Sequence, residues 1–185
     1  ESRIVSISQP HVRPIVRGKA GRPVEFGAKI ELALVNGFAF IDHLSWESFN
    51  ESVLLIDKIK SYKRNFGCYP ESVHADKIYR TRDNRAFCKQ RGIRLSGPPL
   101  GRPSQMSKDE KKQALNDERV RNSIEGKFGQ AKRRFGLSRF MAKLQETSES
   151  VIWINVIVMN LARRLVSLFM RIIHRLTFRL KFDLV

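Results

Sequence analysis

Apolar and polar side chains alternate between residues 28 and 46 in the way that predicts two strands of an antiparallel sheet. The apolar positions on either side of Asn36-Gly37 are Ala28, Ile30, Leu32, Leu34, Phe38, Phe40, Leu44 and Trp46. Such alternation places one set of side chains on a buried face. Asn36 and Gly37 both tolerate positive φ, which a two-residue turn between strands requires. This segment is therefore predicted to be a β-hairpin.

The following part of the chain alternates between helix-like and strand-like patterns. A capping-box pattern at Ser48 and Glu51 predicts the start of a helix, and Gly67 predicts its end. Short strands are predicted at residues 72–75 and 93–95. The helix between these strands is predicted to have Asp83 as its cap and to close at Gly92. Helices between strands, after an antiparallel start, predict an α/β fold with a mixed sheet flanked by helices.

Two long helices complete the pattern. The first is predicted from about Lys108 to Phe135 and ends at Gly136. The second is predicted to be capped by Thr147 and Ser148 and to run through the 160s, with a packing face of Ile152, Val156, Met159 and Leu165. The tail at residues 177–182 alternates like a strand, and residues 1–24 look irregular because prolines and glycines interrupt them. We divide the chain into a basic irregular arm (1–26), a core (27–145), a packing helix (146–174) and a tail (175–185).

The charge of the chain indicates a polyanionic partner. Lysine and arginine number 35 against 18 acidic residues, which gives a formal charge of +17. Such an excess repels itself in a compact domain unless a polyanion is near, and nucleic acid is the usual polyanion. A ribosomal or merely soluble basic protein would share this charge. The hydrophobic fraction of 42% predicts a folded chain rather than a disordered one.

The apolar segment from Val151 to Met170 is the one candidate for a membrane span. Arg163 and Arg164 interrupt it, and a spanning helix needs about 20 mostly apolar residues. We therefore predict a buried helix and no membrane association. Cys68 and Cys88 do not have the spacing of a metal site, which indicates free thiols in a reducing cytoplasm.

Two acidic residues are candidates for chemistry. Asp76 follows the strand at residues 72–75, and sites in open α/β sheets gather at the carboxyl ends of strands, although a turn or cap aspartate would look the same. Glu125 lies on the long helix at the edge of its apolar stripe. That stripe consists of Ile124, Phe128, Ala131 and Phe135.

Arg121, Glu125 and Lys132 fall on one narrow stripe of the same helix. The plainer explanation is a helix-surface ion pair between Arg121 and Glu125, which stabilises a helix only weakly. Phosphodiester cleavage and strand transfer would use such groups differently. Two Mg²⁺ ions ~3.5–4 Å apart stabilise the attacking and leaving oxygens. Magnesium prefers hard oxygen ligands, so the site needs about three carboxylates, with basic residues to hold the DNA.

Three stretches of the chain are distinctive when taken together. They are residues 17–27 (Arg-Gly-Lys-Ala-Gly-Arg-Pro-Val-Glu-Phe-Gly), 75–80 (Ala-Asp-Lys-Ile-Tyr-Arg) and 121–129 (Arg-Asn-Ser-Ile-Glu-Gly-Lys-Phe-Gly). In this order the chain resembles bacterial insertion-sequence transposases of the DDE type, over roughly residues 10–165. The resemblance implies a ribonuclease-H-like catalytic domain.

The resemblance also implies roles for the candidate residues. In that family the second catalytic aspartate lies in an Ala-Asp-Lys-x-Tyr context, which Asp76 matches. The catalytic glutamate lies in a Tyr-x-x-Arg-x-x-x-Glu-x-x-x-x-x-x-Lys signature, which Arg121, Glu125 and Lys132 match, while Glu118 stands in place of the tyrosine. Asp76 and Glu125 would then be catalytic ligands of Mg²⁺ or Mn²⁺.

Basic residues near both carboxylates would hold the DNA. By the same resemblance these are Arg121 and Lys132 on the helix, with Lys77 and Arg80 after the strand. The expected partners are double-stranded transposon ends and target DNA, together with a second copy of the chain in a homodimer. The expected location is the nucleoid of the bacterial cytoplasm.

The family's first aspartate lies on the first strand of the sheet, upstream of the hairpin. No such strand is predicted before residue 27, and Asp42 lies on the wrong element. We therefore expect the C-terminal portion of a catalytic domain without its first strand, inactive or much weakened by itself. The alternative is a non-enzymatic DNA-binding fragment of a decayed or repurposed transposase. A ribosomal or RNA-binding protein would explain only the charge.

Overall fold

The computed structural model describes residues 6–19, 22–97, 107–139 and 141–182. The chain divides into two compact units. Unit 1 comprises Glu1–Trp46 and Lys127–Val185, and unit 2 comprises Glu47–Gly126. Helices and small sheets give a mixed α/β structure, which confirms the predicted class. The described strands form three two-stranded sheets instead of one mixed sheet, and each strand pairs with the strand before or after it along the chain.

The first sheet of unit 1 corrects the prediction of an irregular arm. Strand β1 (Pro14–Lys19) pairs antiparallel with strand β2 (Arg22–Phe26), with Pro14 opposite Phe26 and Lys19 opposite Arg22. Prolines suggested irregular chain at this point. Both strands of a two-stranded sheet are edge strands, so a proline can occupy a position whose missing N–H would face no partner.

The second sheet of unit 1 is the predicted hairpin. Strand β3 (Lys29–Val35) pairs antiparallel with strand β4 (Phe38–Ser45). Asn36 and Gly37 form the turn with φ values of 51° and 80°. This confirms the turn prediction, since a two-residue hairpin turn of this type needs positive φ at both positions.

Helix α4 (Gln145–Phe182) packs against β4 in unit 1. Ile152, Val156 and Met159 are buried, as predicted. The fourth residue of the predicted packing face, Leu165, is instead 68% exposed. The tail predicted as a strand continues this helix to Phe182. A helix satisfies its backbone hydrogen bonds internally, whereas a strand here would need a partner that the described part of the chain does not provide.

Unit 2 begins with a 3-10 turn (Glu51–Leu54) that leads into helix α1 (Leu55–Phe66). The predicted cap at Ser48 is wrong, because the Asn50 side chain accepts a hydrogen bond from the Ser52 backbone N–H at 3.0 Å. Glu51 instead accepts a hydrogen bond from the Tyr79 hydroxyl at 3.2 Å. Gly67 closes α1 in the left-handed region, as predicted.

A parallel strand pair forms the centre of unit 2. Strand β5 (Ser72–Val73) is followed by a 3-10 turn (Lys77–Tyr79) and by helix α2 (Arg82–Gln90), and strand β6 (Arg94–Leu95) then pairs with β5. Thr81 caps α2 in place of the predicted Asp83. The core between these strands and the two helices contains Leu55, Ile59, Cys88 and Ile93, with Tyr69, Val73, Tyr79, Phe87 and Leu95 packed against them.

Helix α3 (Lys108–Arg134) runs close to its predicted bounds, and Gly136 follows it with φ of 75°. Ser107 and Glu110 form a reciprocal cap at its start: the Glu110 carboxylate accepts from the Ser107 backbone N–H, and the Ser107 hydroxyl accepts from the Glu110 N–H. Within the described ranges, none of the helices has the length and apolar character needed to cross a membrane.

Candidate active site

Asp76 lies just beyond the carboxyl end of β5, as predicted. Its backbone is extended, with φ of −65° and ψ of 165°, and it directly precedes the 3-10 turn. The Asp76 side chain is 71% exposed. A carboxylate in this position keeps its oxygens available to other groups.

Arg121 on α3 contacts this carboxylate directly. Its guanidinium Nη1 donates a hydrogen bond to Asp76 Oδ1 at 3.0 Å, across 45 positions of the sequence. A second nitrogen, Nη2, lies 3.9 Å from Glu118 Oε1. The contact brings one predicted DNA-binding residue to one predicted metal ligand, although an exposed ion pair of this kind adds little stability.

Glu125 follows Arg121 by one turn of α3, about 6 Å along the helix axis at 1.5 Å per residue. The helix-surface ion pair between these two residues is not formed, because the Arg121 guanidinium is directed to Asp76. Glu125 is exposed, and within the described part of the chain its carboxylate has no hydrogen bond or ion pair. Lys132 is exposed on the part of α3 that belongs to unit 1.

The two basic residues after Asp76 differ in their surroundings. Lys77 is exposed on the 3-10 turn. Arg80 is half-buried, and its guanidinium donates a hydrogen bond to the carbonyl of Ser96 after β6. Burial lowers the pKa of Arg80 from its ordinary value. The guanidinium thus ties together the two chain segments that leave β5 and β6, and its contact with DNA stays a prediction.

Asp117, the most highly connected acidic residue near the site, was not predicted from the sequence. It lies one turn before Arg121 on α3, and its side chain is only 11% exposed. Arg94 at the start of β6 donates to both of its oxygens, at 2.5 Å and 2.9 Å, and Gln113 donates at 2.9 Å. The signal was present in the spacing, because Asp117 precedes Ile124 by seven residues and therefore continues the apolar stripe of the helix.

His74, the residue after β5, completes this cluster. Its Nδ1 lies 3.5 Å from Asp117 Oδ1, too far for a hydrogen bond, and its Nε2 lies 3.0 Å from the hydroxyl of Ser72. Burial lowers the pKa of His74, and the nearby Asp117 opposes this shift. The hydrogen bonds from Arg94 hold the pKa of Asp117 below its ordinary value. The cluster therefore contains a charged Arg94–Asp117 pair that joins α3 to the strands next to Asp76.

Asp76 and Glu125 have the donor type that a hard divalent cation prefers. Mg²⁺ is commonly bound by one or two carboxylates, with waters and substrate phosphates completing its shell, so two exposed carboxylates on separate elements fit such an ion. Among the residues that the structure describes, no three His, Cys, Asp or Glu side chains are grouped closely enough to hold a metal ion. The assignment of Asp76 and Glu125 as metal ligands therefore stays a prediction.

Comparison with known protein families supports the resemblance. Residues 73–162 match the family model of the transposase DDE domain. The matched stretch runs from β5 into α4 and contains Asp76, Arg121, Glu125 and Lys132. This stretch is similar to the DDE domain of transposases. The family implies a DNA substrate, and its domains generally use divalent metal ions. No curated protein and no solved structure matches the chain.

Proposed function

We propose that this chain serves metal-dependent DNA cleavage and strand transfer of an insertion sequence. The observation that carries the proposal is the contact between Arg121 and Asp76. It joins the carboxyl end of β5, where the family's second aspartate is expected, to the helix on which the family's glutamate is expected. We further propose that these elements belong to a ribonuclease-H-like domain.

Asp76 and Glu125 are the proposed ligands of Mg²⁺ or Mn²⁺. When bound, the metal would stabilise charge on the oxygens that attack and leave phosphorus. Arg121, whose guanidinium bonds to the Asp76 carboxylate in this structure, would hold a DNA phosphate beside the site. Lys132 and Lys77 are the other proposed phosphate contacts. Two carboxylates are fewer than the roughly three of a two-metal site, so we propose that the chain by itself cleaves DNA weakly or not at all.

Metal binding tests the ligand assignment without requiring catalysis. Mn²⁺ is the probe, since its paramagnetic resonance signal decreases when it binds to a protein. We expect Asp76→Asn and Glu125→Gln each to weaken Mn²⁺ binding in the presence of duplex DNA by about tenfold or more, as when a group supporting a metal site is removed. Glu118→Gln is the matched control, because it makes the same change on an exposed carboxylate of the same helix. Equal Mn²⁺ affinity in all three variants contradicts the assignment.

DNA binding under salt titration tests the phosphate contacts. Removing one protein–phosphate interaction should reduce the slope of log K against log salt by about one. We expect this reduction for Arg121→Ala and for Lys132→Ala. Arg119→Ala is the matched control, since residue 119 lies on the opposite face of α3 from residue 121. If the control lowers the slope as much as the other two substitutions, the stripe has no special role in binding DNA.

The second candidate function is DNA binding without catalysis, by a fragment of a decayed or repurposed transposase. The Asp76–Arg121 ion pair is the observation in its favour, because a paired carboxylate serves structure as well as metal binding. This candidate predicts the same dependence of DNA binding on salt as the first candidate, but no effect of Asp76→Asn on Mn²⁺ affinity. Under either function we propose that the chain acts at the bacterial nucleoid, and that two copies act together on DNA.

A further inference from the structure

Helix α4 exposes a continuous apolar seam along its outer face. Six residues form this outer seam: Ile154, Val158, Leu161, Leu165, Leu168 and Ile172. Their exposed fractions lie between 42% and 68%. Folded monomers rarely leave such a contiguous apolar surface in water, and surfaces of this kind mark sites of interaction.

The outer seam is distinct from the face that packs on the hairpin. The packing face consists of Ser148, Ile152, Val156, Met159 and Asn160, all buried or half-buried. The Asn160 side chain also donates to the Ala39 carbonyl at 2.7 Å and accepts from the Ala39 N–H at 2.9 Å, so this face is fixed against β4. At about 100° per residue, the seam lies roughly half a turn away. The hairpin covers the packing face of α4, and the outer seam remains exposed to solvent.

The spacing of the seam residues is that of a coiled coil. Successive members are separated by 4, 3, 4, 3 and 4 positions, which is a heptad repeat. The a positions are Val158, Leu165 and Ile172, and the d positions are Ile154, Leu161 and Leu168. β-branched residues at two of three a positions and leucine at two of three d positions favour a parallel, two-stranded pair.

The charges beside the seam select the same arrangement. Arg164 and Arg171 lie at g positions on one side of the seam, whereas Ala162 and Phe169 lie at e positions on the other. In a parallel pair the g residues face e residues of the next heptad, so Arg164 would lie beside Phe169 of the second copy. In an antiparallel pair centred on the seam, Arg164 would meet Arg164 of the second copy, and the like charges would repel.

We propose that the outer seam of α4 is the surface through which two copies of this chain associate as a parallel coiled coil. A second copy supplies the same a and d residues in the same register, which is what this geometry requires. The inference deepens the proposed pairing of two copies on DNA by naming the surface. It does not require DNA, metal or the Asp76 site.

The oligomeric state of the full chain without DNA is the first test. Sedimentation equilibrium over a concentration series should give a mass approaching about twice 21.4 kDa. Leu165→Glu, which places a charge at an a position, should shift the chain to monomer. Met170→Glu is the matched control, because Met170 is similarly exposed at 58% but lies at an f position away from the seam. A monomer at every concentration, or equal sensitivity to both substitutions, overturns the proposal.

Disulfide crosslinking tests the parallel register separately. The exposed Cys68 is first replaced by serine, while the buried Cys88 is retained. In this background Leu168→Cys should form a disulfide between copies, because d positions of a parallel pair face each other. Met170→Cys should not. A dimer in which Cys at 168 does not crosslink overturns the parallel arrangement, and a failure of the DNA or Mn²⁺ assays would leave these results unchanged.

Discussion

Replacing Asp117 by asparagine should lower the free energy of unfolding by about 2 kcal/mol. The carboxylate of Asp117 is 11% exposed and accepts two hydrogen bonds from the Arg94 guanidinium. Asparagine keeps the shape but offers one oxygen in place of two and removes the charge. Loss of one partner of a fully buried ion pair costs about 3–5 kcal/mol. Arg94 is 45% exposed, so water can solvate the guanidinium, which reduces the cost to about that of one charged hydrogen bond, ~1.5–3 kcal/mol.

Urea unfolding followed by far-ultraviolet circular dichroism measures this loss. Tryptophan fluorescence provides an internal reference, because both tryptophans, Trp46 and Trp153, belong to unit 1, whereas Asp117 belongs to unit 2. Glu118→Gln is the control on a neighbouring exposed carboxylate. If Asp117→Asn unfolds within about 0.5 kcal/mol of that control, the cost of burying the pair offsets its attraction and the proposed stabilising role of the cluster is refuted.

Three further substitutions test the cluster and the packing of α4. Burial lowers the pKa of His74, so protonation of this side chain opposes folding, and the free energy of unfolding should fall as the pH drops below about 6.5. His74→Gln should make this fall smaller when urea unfolding is measured between about pH 7 and pH 5. If the dependence of stability on pH is the same in the variant, another group causes it. Gly37→Ala should cost ~1–3 kcal/mol because φ is 80°, a conformation that a residue with a Cβ rarely adopts. An unchanged urea midpoint would contradict this prediction. Asn160→Asp should lower the free energy of unfolding by ~1–3 kcal/mol, because it removes the donor to the Ala39 carbonyl. Urea unfolding followed by tryptophan fluorescence measures this loss. A loss of stability no larger than that of the control Asn155→Asp would contradict the prediction.

The elements that were predicted correctly depend on short-range physics. The turn at Asn36-Gly37 follows from the φ values that these two residues tolerate, and the strands beside it pair with near neighbours. Helix α3 follows from its apolar period and from Gly136 at its end. Asp76 could be placed at the end of a strand because the short strand pattern directly before it is also a local feature of the sequence. The predicted caps at Ser48 and Asp83 were wrong because Asn50 and Thr81 compete for the same role at nearby positions.

Contacts between distant positions could not be read from local patterns. Arg121 and Glu125 have the spacing of a helical ion pair, but the guanidinium bonds to Asp76, which is 45 positions away. Asp117 carried a usable signal in its spacing, but its partner Arg94 lies on another element. The choice among several possible acceptors depends on where the backbone places them, and that placement is set by the packing of the whole unit.

Amino-acid order by itself determined the α/β class, the basic character of the chain, the β3–β4 hairpin, and the order of the family's motifs. Tertiary structure alone decided that β1 and β2 form a sheet, that the tail extends α4, and that Leu165 faces outward while Ile152 is buried. Where a helix has apolar residues on two faces, the sequence alone does not show which face is buried. Only the position of the neighbouring hairpin determines which face it covers and which remains for a partner.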